Sequence, residues 1–220
     1  MSKTSRLMTA IASLLLAVAL ALPTWRINLI APQYPEGLGM QIRLGTIDGV
    51  GQYDLQNINE LNHYIGMRVI QASDMPELRY MPWVVASLAL LGLAVAAQRR
   101  RAPLFAWGAA LVAAGVAGMG DFWWRTYLYG HTLDAEHAVI KIPGMSYQPP
   151  IIGTKQILNF TAAAWPGAGG ITILAAFALV GTAVWLSIRD ARPSAARTLT
   201  GRTYPLHPVT DPRSDAGRAA

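Results

Sequence analysis

Read from the N-terminus, apolar residues come in four blocks, with the charged residues between them and at the two ends. Leu7–Leu22, Met81–Gln98, Ala102–Gly120 and Pro166–Ile188 contain no Asp, Glu, Lys, Arg or His. At about 1.5 Å per residue, about 20 helical residues cross a hydrocarbon layer about 30 Å thick. The pattern therefore predicts four transmembrane helices. The first block is short, and Thr24 and Trp25 extend it into the interface. Its basic start (Lys3, Arg6) and Ala19-Leu20-Ala21 also fit a cleaved secretory signal. Under either reading, the chain after Pro23 begins on the outer side.

The segments between the blocks carry their own patterns. Ala31-Pro32-Gln33-Tyr34-Pro35-Glu36-Gly37 reads as a turn region, and Met40–Leu44 alternates as a half-buried strand does. Asp48-Gly49 is a turn signal. From Asp54, an N-cap residue type, Leu55, Ile58, Leu61 and Ile65 share one helical face. Asp74-Met75-Pro76-Glu77 offers another helix start. In the second outer segment the reading is an extended stretch at His137–Ile142, a turn at Pro143-Gly144 and a helix from Thr154 to Ala164. The expected organisation is a first transmembrane helix or signal at 1–24, outer loop 1 at 25–80, a transmembrane hairpin at 81–120, outer loop 2 at 121–165, a fourth transmembrane helix at 166–188, and a disordered basic tail at 189–220. As a fold class this is an all-α integral membrane protein with four transmembrane helices and a small mixed α/β extracytoplasmic region built from two loops.

Composition sharpens the picture. Only 14% of the 220 residues are charged and the mean hydropathy is +0.30, where soluble domains carry about 25% charged residues. The formal charge of +6 is a topology signal, because the basic residues cluster. The ends and the Arg99-Arg100-Arg101 turn hold eleven basic against three acidic residues, the outer segments seven against nine. The positive-inside rule then places both termini in the cytoplasm of a bacterial inner membrane, with Arg99, Arg100 and Arg101 as topology anchors. Trp25, Trp83, Trp123, Trp124 and Trp165 fall at predicted outer ends, Trp107 and Trp185 near inner ones; Trp123 and Trp124 are the anchors on the outer side. A nucleic-acid partner is not indicated; the lipid bilayer is.

Candidate chemistry is sparse. The chain has no Cys, which excludes disulfides, iron–sulfur clusters, thiol nucleophiles and Cys-attached haem. The apolar blocks have no His to hold haem between helices, and no ionisable group for a proton or ion path. No nucleophile–base pair or phosphate loop is present, so the chain does not read as an enzyme. What remains is a bias of Met and His toward the outer segments: Met40, Met67, Met75, Met81, Met119 and Met145, with His63, His131 and His137. Thioether and imidazole together suit copper, Cu(I) in particular. If the helix from Asp54 continues, His63 and Met67 are four apart and project from one side. His131-Thr132-Leu133-Asp134-Ala135-Glu136-His137 offers harder N/O ligands, and Met145 a thioether on a turn. The alternative is that His63 is solvated, Met67 and Met145 pack as hydrophobes, and the 131–137 run is a solvated loop.

Four blocks carry a resemblance: Ala31-Pro32-Gln33-Tyr34-Pro35-Glu36-Gly37-Leu38; Asn57-Ile58-Asn59 running into Leu61-Asn62-His63-Tyr64-Ile65-Gly66-Met67; Pro143-Gly144-Met145; and Gly153-Thr154-Lys155-Gln156. They resemble a family of small bacterial multi-span proteins from copper-enzyme accessory clusters, the NosB-type membrane proteins of nitrous oxide reductase maturation. The resemblance covers about residues 25–165. It implies a membrane accessory protein that assists copper handling or copper-enzyme maturation beside a membrane or periplasmic partner. A second reading, from a different class, is a non-catalytic docking subunit of a membrane complex without metal.

Overall fold

The computed structural model describes residues 1–134, 136, 138–140, 144 and 146–190. In chain order the elements are α1 (Lys3–Ala19), β1 (Trp25–Ala31), β2 (Tyr34–Ile42), β3 (Ile47–Gly49), α2 (Asp54–Tyr64), α3 (Glu77–Ala97), α4 (Ala102–His131), β4 (Gly153–Ile157), β5 (Phe160–Pro166) and α5 (Ala168–Arg189). The expected tail at 189–220 lies outside the described residues, apart from its first two positions. Both ends of the expected extended stretch at 137–142, and Pro143 of the turn after it, lie outside them too.

Among the described residues, three helices, α3, α4 and α5, are long and apolar enough to cross a membrane. The expectation of an all-α protein with four spans is therefore corrected in two respects. First, α1 has 17 residues, about 25 Å of helix against a hydrocarbon layer of about 30 Å. Its inner stripe is built from Ser5, Thr9, Ala12, Ser13, Leu16 and Ala19, all buried. Thr9 and Ser13 donate their hydroxyls to the carbonyls four residues back, both at 2.8 Å. Small residues and self-satisfied hydroxyls let α1 pack closely against α5 and α3, its main neighbours. Arg6 closes this end of the layer by donating to the Ala96 and Ala97 carbonyls at the last turn of α3.

Second, the fold is mixed α/β. All five strands join one antiparallel sheet in the order β3-β2-β1-β5-β4. Of the expected 31–37 turn region, only Pro32-Gln33 turns the chain, between Ala31 of β1 and Tyr34 of β2; Tyr34–Gly37 are strand. The segment 154–164, expected as a helix, is instead the hairpin β4–β5. Along β5 burial alternates, with Phe160, Ala162 and Ala164 turned inward and Thr161, Ala163 and Trp165 less buried. That is the period of two that a strand with one packed face requires. The run of alanines masked it by offering helix propensity at every position.

Sheet and helices are continuous. β1 follows α1 through a short connection, and β5 runs into α5 at Gly167. Gly167 and Gly169 donate backbone N–H groups to the Thr24 and Pro23 carbonyls at 2.9 and 2.8 Å, so the two junctions are pinned together. α4 overshoots the expected span, continuing from Gly120 to His131. Its last turns belong to the sheet side, where Phe122 meets Trp25 at a centroid separation of 5.3 Å. α2 lies over β2 and β3, burying Ile58 and Leu61 as its spacing predicts.

Two of the tryptophans expected at interfaces are core residues. Trp107 is 4% exposed and donates Nε1–H to the Leu88 carbonyl at 2.8 Å. Trp25 is buried and donates to the Ile151 carbonyl at 2.9 Å. Trp83, Trp123, Trp124, Trp165 and Trp185 are exposed, as amphipathic interface rings are.

Candidate functional site

Where α3, α4 and α5 meet the sheet and α2, they leave an apolar cavity of about 720 Å³. Its helical wall includes Val84, Leu88, Leu111, Gly115, Ile173 and Phe177; its upper wall is drawn from β1, β2, α2 and β5. The space exists because α4 touches α3 and α5 sparingly, whereas α1 is packed tightly between its neighbours. Val112, Val116 and Leu174 line it and are also exposed on the outer faces of their helices. The cavity thus opens sideways through the helical layer, the side that lipid would cover.

Three of its polar side chains, Glu77, Asp121 and Arg125, cluster near the boundary between helices and sheet. Glu77, in the first turn of α3, is 8% exposed, and Arg125 Nη2 holds its carboxylate at 2.6 Å. A carboxylate at a helix N-terminus is also favoured by the helix dipole. Asp121, one helical turn before Arg125, lines the same region. Two buried donors remain: Arg125 Nε and Asn62 Nδ2 have no hydrogen-bond partner among the described residues. A buried donor left unmade costs about 1–3 kcal/mol.

The cavity also gathers methionines. Met40, Met67, Met75, Met81 and Met119 all line it, five of the six that the outer segments bring to this side. The thioether adapts its shape to irregular guests and is a soft metal ligand.

The ligand pair read from the sequence is not formed. α2 ends at Tyr64, and Gly66 takes a φ of 73°. Gly66 N–H bonds to the His63 carbonyl at 3.1 Å and Met67 N–H to the Asn62 carbonyl at 2.9 Å. This is a Schellman ending, which reverses the chain before Met67. His63 therefore stays on the exposed face of α2, beside Asn59, Glu60 and Tyr64 in a shallow groove. Met67 turns inward, toward Ile65, Tyr147 and Ile157. The i, i+4 pair is lost because the glycine that weakens the helix also ends it.

His131 closes α4. Its ring stacks on Tyr127 at 4.0 Å, and Nδ1 donates to the Tyr127 carbonyl at 2.9 Å. Tyr127 in turn stacks against Trp123 and Trp124 at 5.6 and 5.8 Å, so the expected anchors form an aromatic ladder on one side of the helix. His137 and Met145 lie outside the described residues. Among the described residues, no group of three or more His, Asp or Glu side chains could hold a metal ion. Arg99, Arg100 and Arg101 stand at the opposite end of the layer, where the Met1 ammonium bonds to the Arg99 carbonyl at 2.7 Å.

The sequence marks none of Asn62, Glu77, Asp121 and Arg125 as site residues: Glu77 reads as part of a helix start, Asn62 as part of the 61–67 block, and isolated polar residues in an outer segment look solvated. One signal was available: Asp121 and Arg125 are four apart immediately after an apolar block, as expected when a helix continues past its span. The chain matches no family profile, and no curated protein is similar to it.

Proposed function

We propose that this chain is a non-catalytic accessory protein of the bacterial inner membrane, which holds an apolar or amphiphilic guest in the cavity between its helices and its sheet. The observation that supports the reading is the cavity itself, apolar along the helices and edged by Asn62, Glu77 and Arg125 where it meets the sheet. Apolar walls with a few convergent polar groups are the usual build of a ligand site. The distribution of basic residues supports placing both termini in the cytoplasm and the sheet in the periplasm, within reach of a membrane or periplasmic protein partner. The test is to purify the protein in mild detergent, extract what it retains and compare Ala114→Phe, which fills the cavity from α4. A retained lipid-class molecule that falls about tenfold in the variant supports the reading. Equal retention in both proteins overturns it.

A second reading keeps copper. Five thioethers around one cavity suit Cu(I) transfer in a copper-enzyme maturation system. It is tested by an anaerobic Cu(I) competition titration of the wild type beside Met67→Leu/Met75→Leu and His63→Ala. Loss of binding in the methionine double variant alone supports the metal at the cavity. No binding above the detergent blank removes copper.

A further inference from the structure

We propose that the guest of this cavity is a lipid with an uncharged, carbonyl-bearing head, its tail between α3, α4 and α5 and its head against Arg125 and Asn62. The inference rests on the cavity reading above and names the chemical class that the cavity takes. A long tail follows from the shape, since the apolar wall runs from Leu111 and Phe177 in the helical layer up to Ile58 and Phe160 beneath the sheet. Entry is from the side, past the exposed residues Val112, Val116 and Leu174.

The head is read from what the wall leaves unmade. Arg125 Nε can only donate a hydrogen bond, and it is buried without a partner among the described residues. Asn62 is 8% exposed, lines the cavity and has an unpartnered Nδ2; its amide offers a donor or an acceptor. A head placed there must therefore bring at least one acceptor. Charge then separates the acceptors. The charged residues of the wall are Arg43, Glu77, Asp121 and Arg125, which balance. Both cations are engaged, Arg125 with Glu77 at 2.6 Å and Arg43 with Asp48 at 3.8 Å. A carboxylate or phosphate head would meet Glu77 and Asp121 with no free cation among the described wall residues to offset them. A carbonyl accepts the same hydrogen bonds without that repulsion. Two membrane sources share this chemistry, the prenylquinones and the neutral glycerides.

Trp25 lines the cavity, and a benzoquinone quenches indole fluorescence. The experiment titrates the full chain in maltoside micelles with decylubiquinone, then competes the quench with dioleoylglycerol, oleate or hexadecane. Wild type is compared with Asn62→Leu and with Arg125→Lys, which keeps a cation for Glu77 and removes Nε. The expected result is saturable quenching, weakened about tenfold in each variant, with oleate the poorer competitor and hexadecane binding equally to all three proteins. The stronger of decylubiquinone and dioleoylglycerol identifies the source. Oleate binding as tightly as the neutral probes overturns the uncharged head. If hexadecane binds but neither variant changes the head-bearing probes, the head assignment falls and the cavity reading stands. If no probe saturates, both fall.

Discussion

Arg125 reaches from α4 to Glu77 at the first turn of α3, Nη2 to Oε2 at 2.6 Å, and ties together two helices that otherwise touch little. With Glu77 nearly fully buried and Arg125 partly exposed, removing one partner strands the other. Glu77→Ala is expected to cost about 2 kcal/mol, below the figure for a fully buried pair because water still screens the guanidinium. Glu77→Asp, which retains the charge, is expected to cost less. Thermal unfolding in detergent, followed by Trp fluorescence, orders the two variants.

At Gly92, α3 packs tightly against both α1 and α4. A Cβ there would collide with Ser13 Oγ on α1 and with the Trp107 indole on α4. Gly92→Ala should lose about 1–3 kcal/mol through overpacking. Trp107→Phe should lose about 1 kcal/mol, the value of the hydrogen bond to Leu88, and Trp107→Ala about 3–5 kcal/mol. A Gly92→Ala protein as stable as wild type in a detergent melt would contradict this packing.

Gly66 ends α2 with a positive φ, and a side chain there would also meet the Asp134 carbonyl. Gly66→Ala is expected to cost about 1–2 kcal/mol from the backbone alone. The damage should be local, seen by hydrogen exchange as lost protection at the Gly66 and Met67 amides. Protection of β1 and β5 should persist.

His63 and Met67 now have separable expectations. His63→Ala, on an exposed face, should change stability by less than about 0.5 kcal/mol. Met67→Ala, packed against Ile65 and Tyr147, should cost about 2 kcal/mol. Chemical unfolding of the two single variants checks the difference; equal effects would mean that the chain does not reverse at Gly66.

In β5, Ala164 is fully buried and Ala163 is half-buried on the other face. Ala164→Arg should prevent folding of the sheet, whereas Ala163→Arg should leave a folded protein. The readout is the yield of monodisperse protein on size exclusion. The reverse order would mean that β5 is slipped by one residue, with its other face packed.

Three of the four blocks were legible because a charge-free block of about 20 residues rarely suits anything but a membrane helix, whereas the first forms a helix of only 17 residues. Bounds shifted where polar residues stay helical, as Asp121 and Arg125 do beyond Gly120. The inward face of α2 follows from local chemistry, whereas the 31–37 turn region shrinks to Pro32-Gln33 because Tyr34–Gly37 pair as strand. The hairpin β4–β5 was not legible, since Thr161-Ala162-Ala163-Ala164 carries almost no contrast in polarity. The cavity was beyond the sequence altogether. Its wall joins residues from Leu16 to Phe177, a juxtaposition made by strand pairing that no local pattern encodes.

That pairing also imposes an order on synthesis. β1 bonds to β2 on one side and to β5 on the other, with Trp25 opposite Pro166 and Ile30 opposite Thr161. The first three strands and α2 can assemble as soon as they emerge, but β5 follows α3 and α4 in the chain. Until both of those helices have been made, β1 waits with a free edge, the state in which a strand most readily pairs with the wrong chain. Maturation of this protein thus has a vulnerable interval built into its connectivity, from assembly of β1–β3 to arrival of β5.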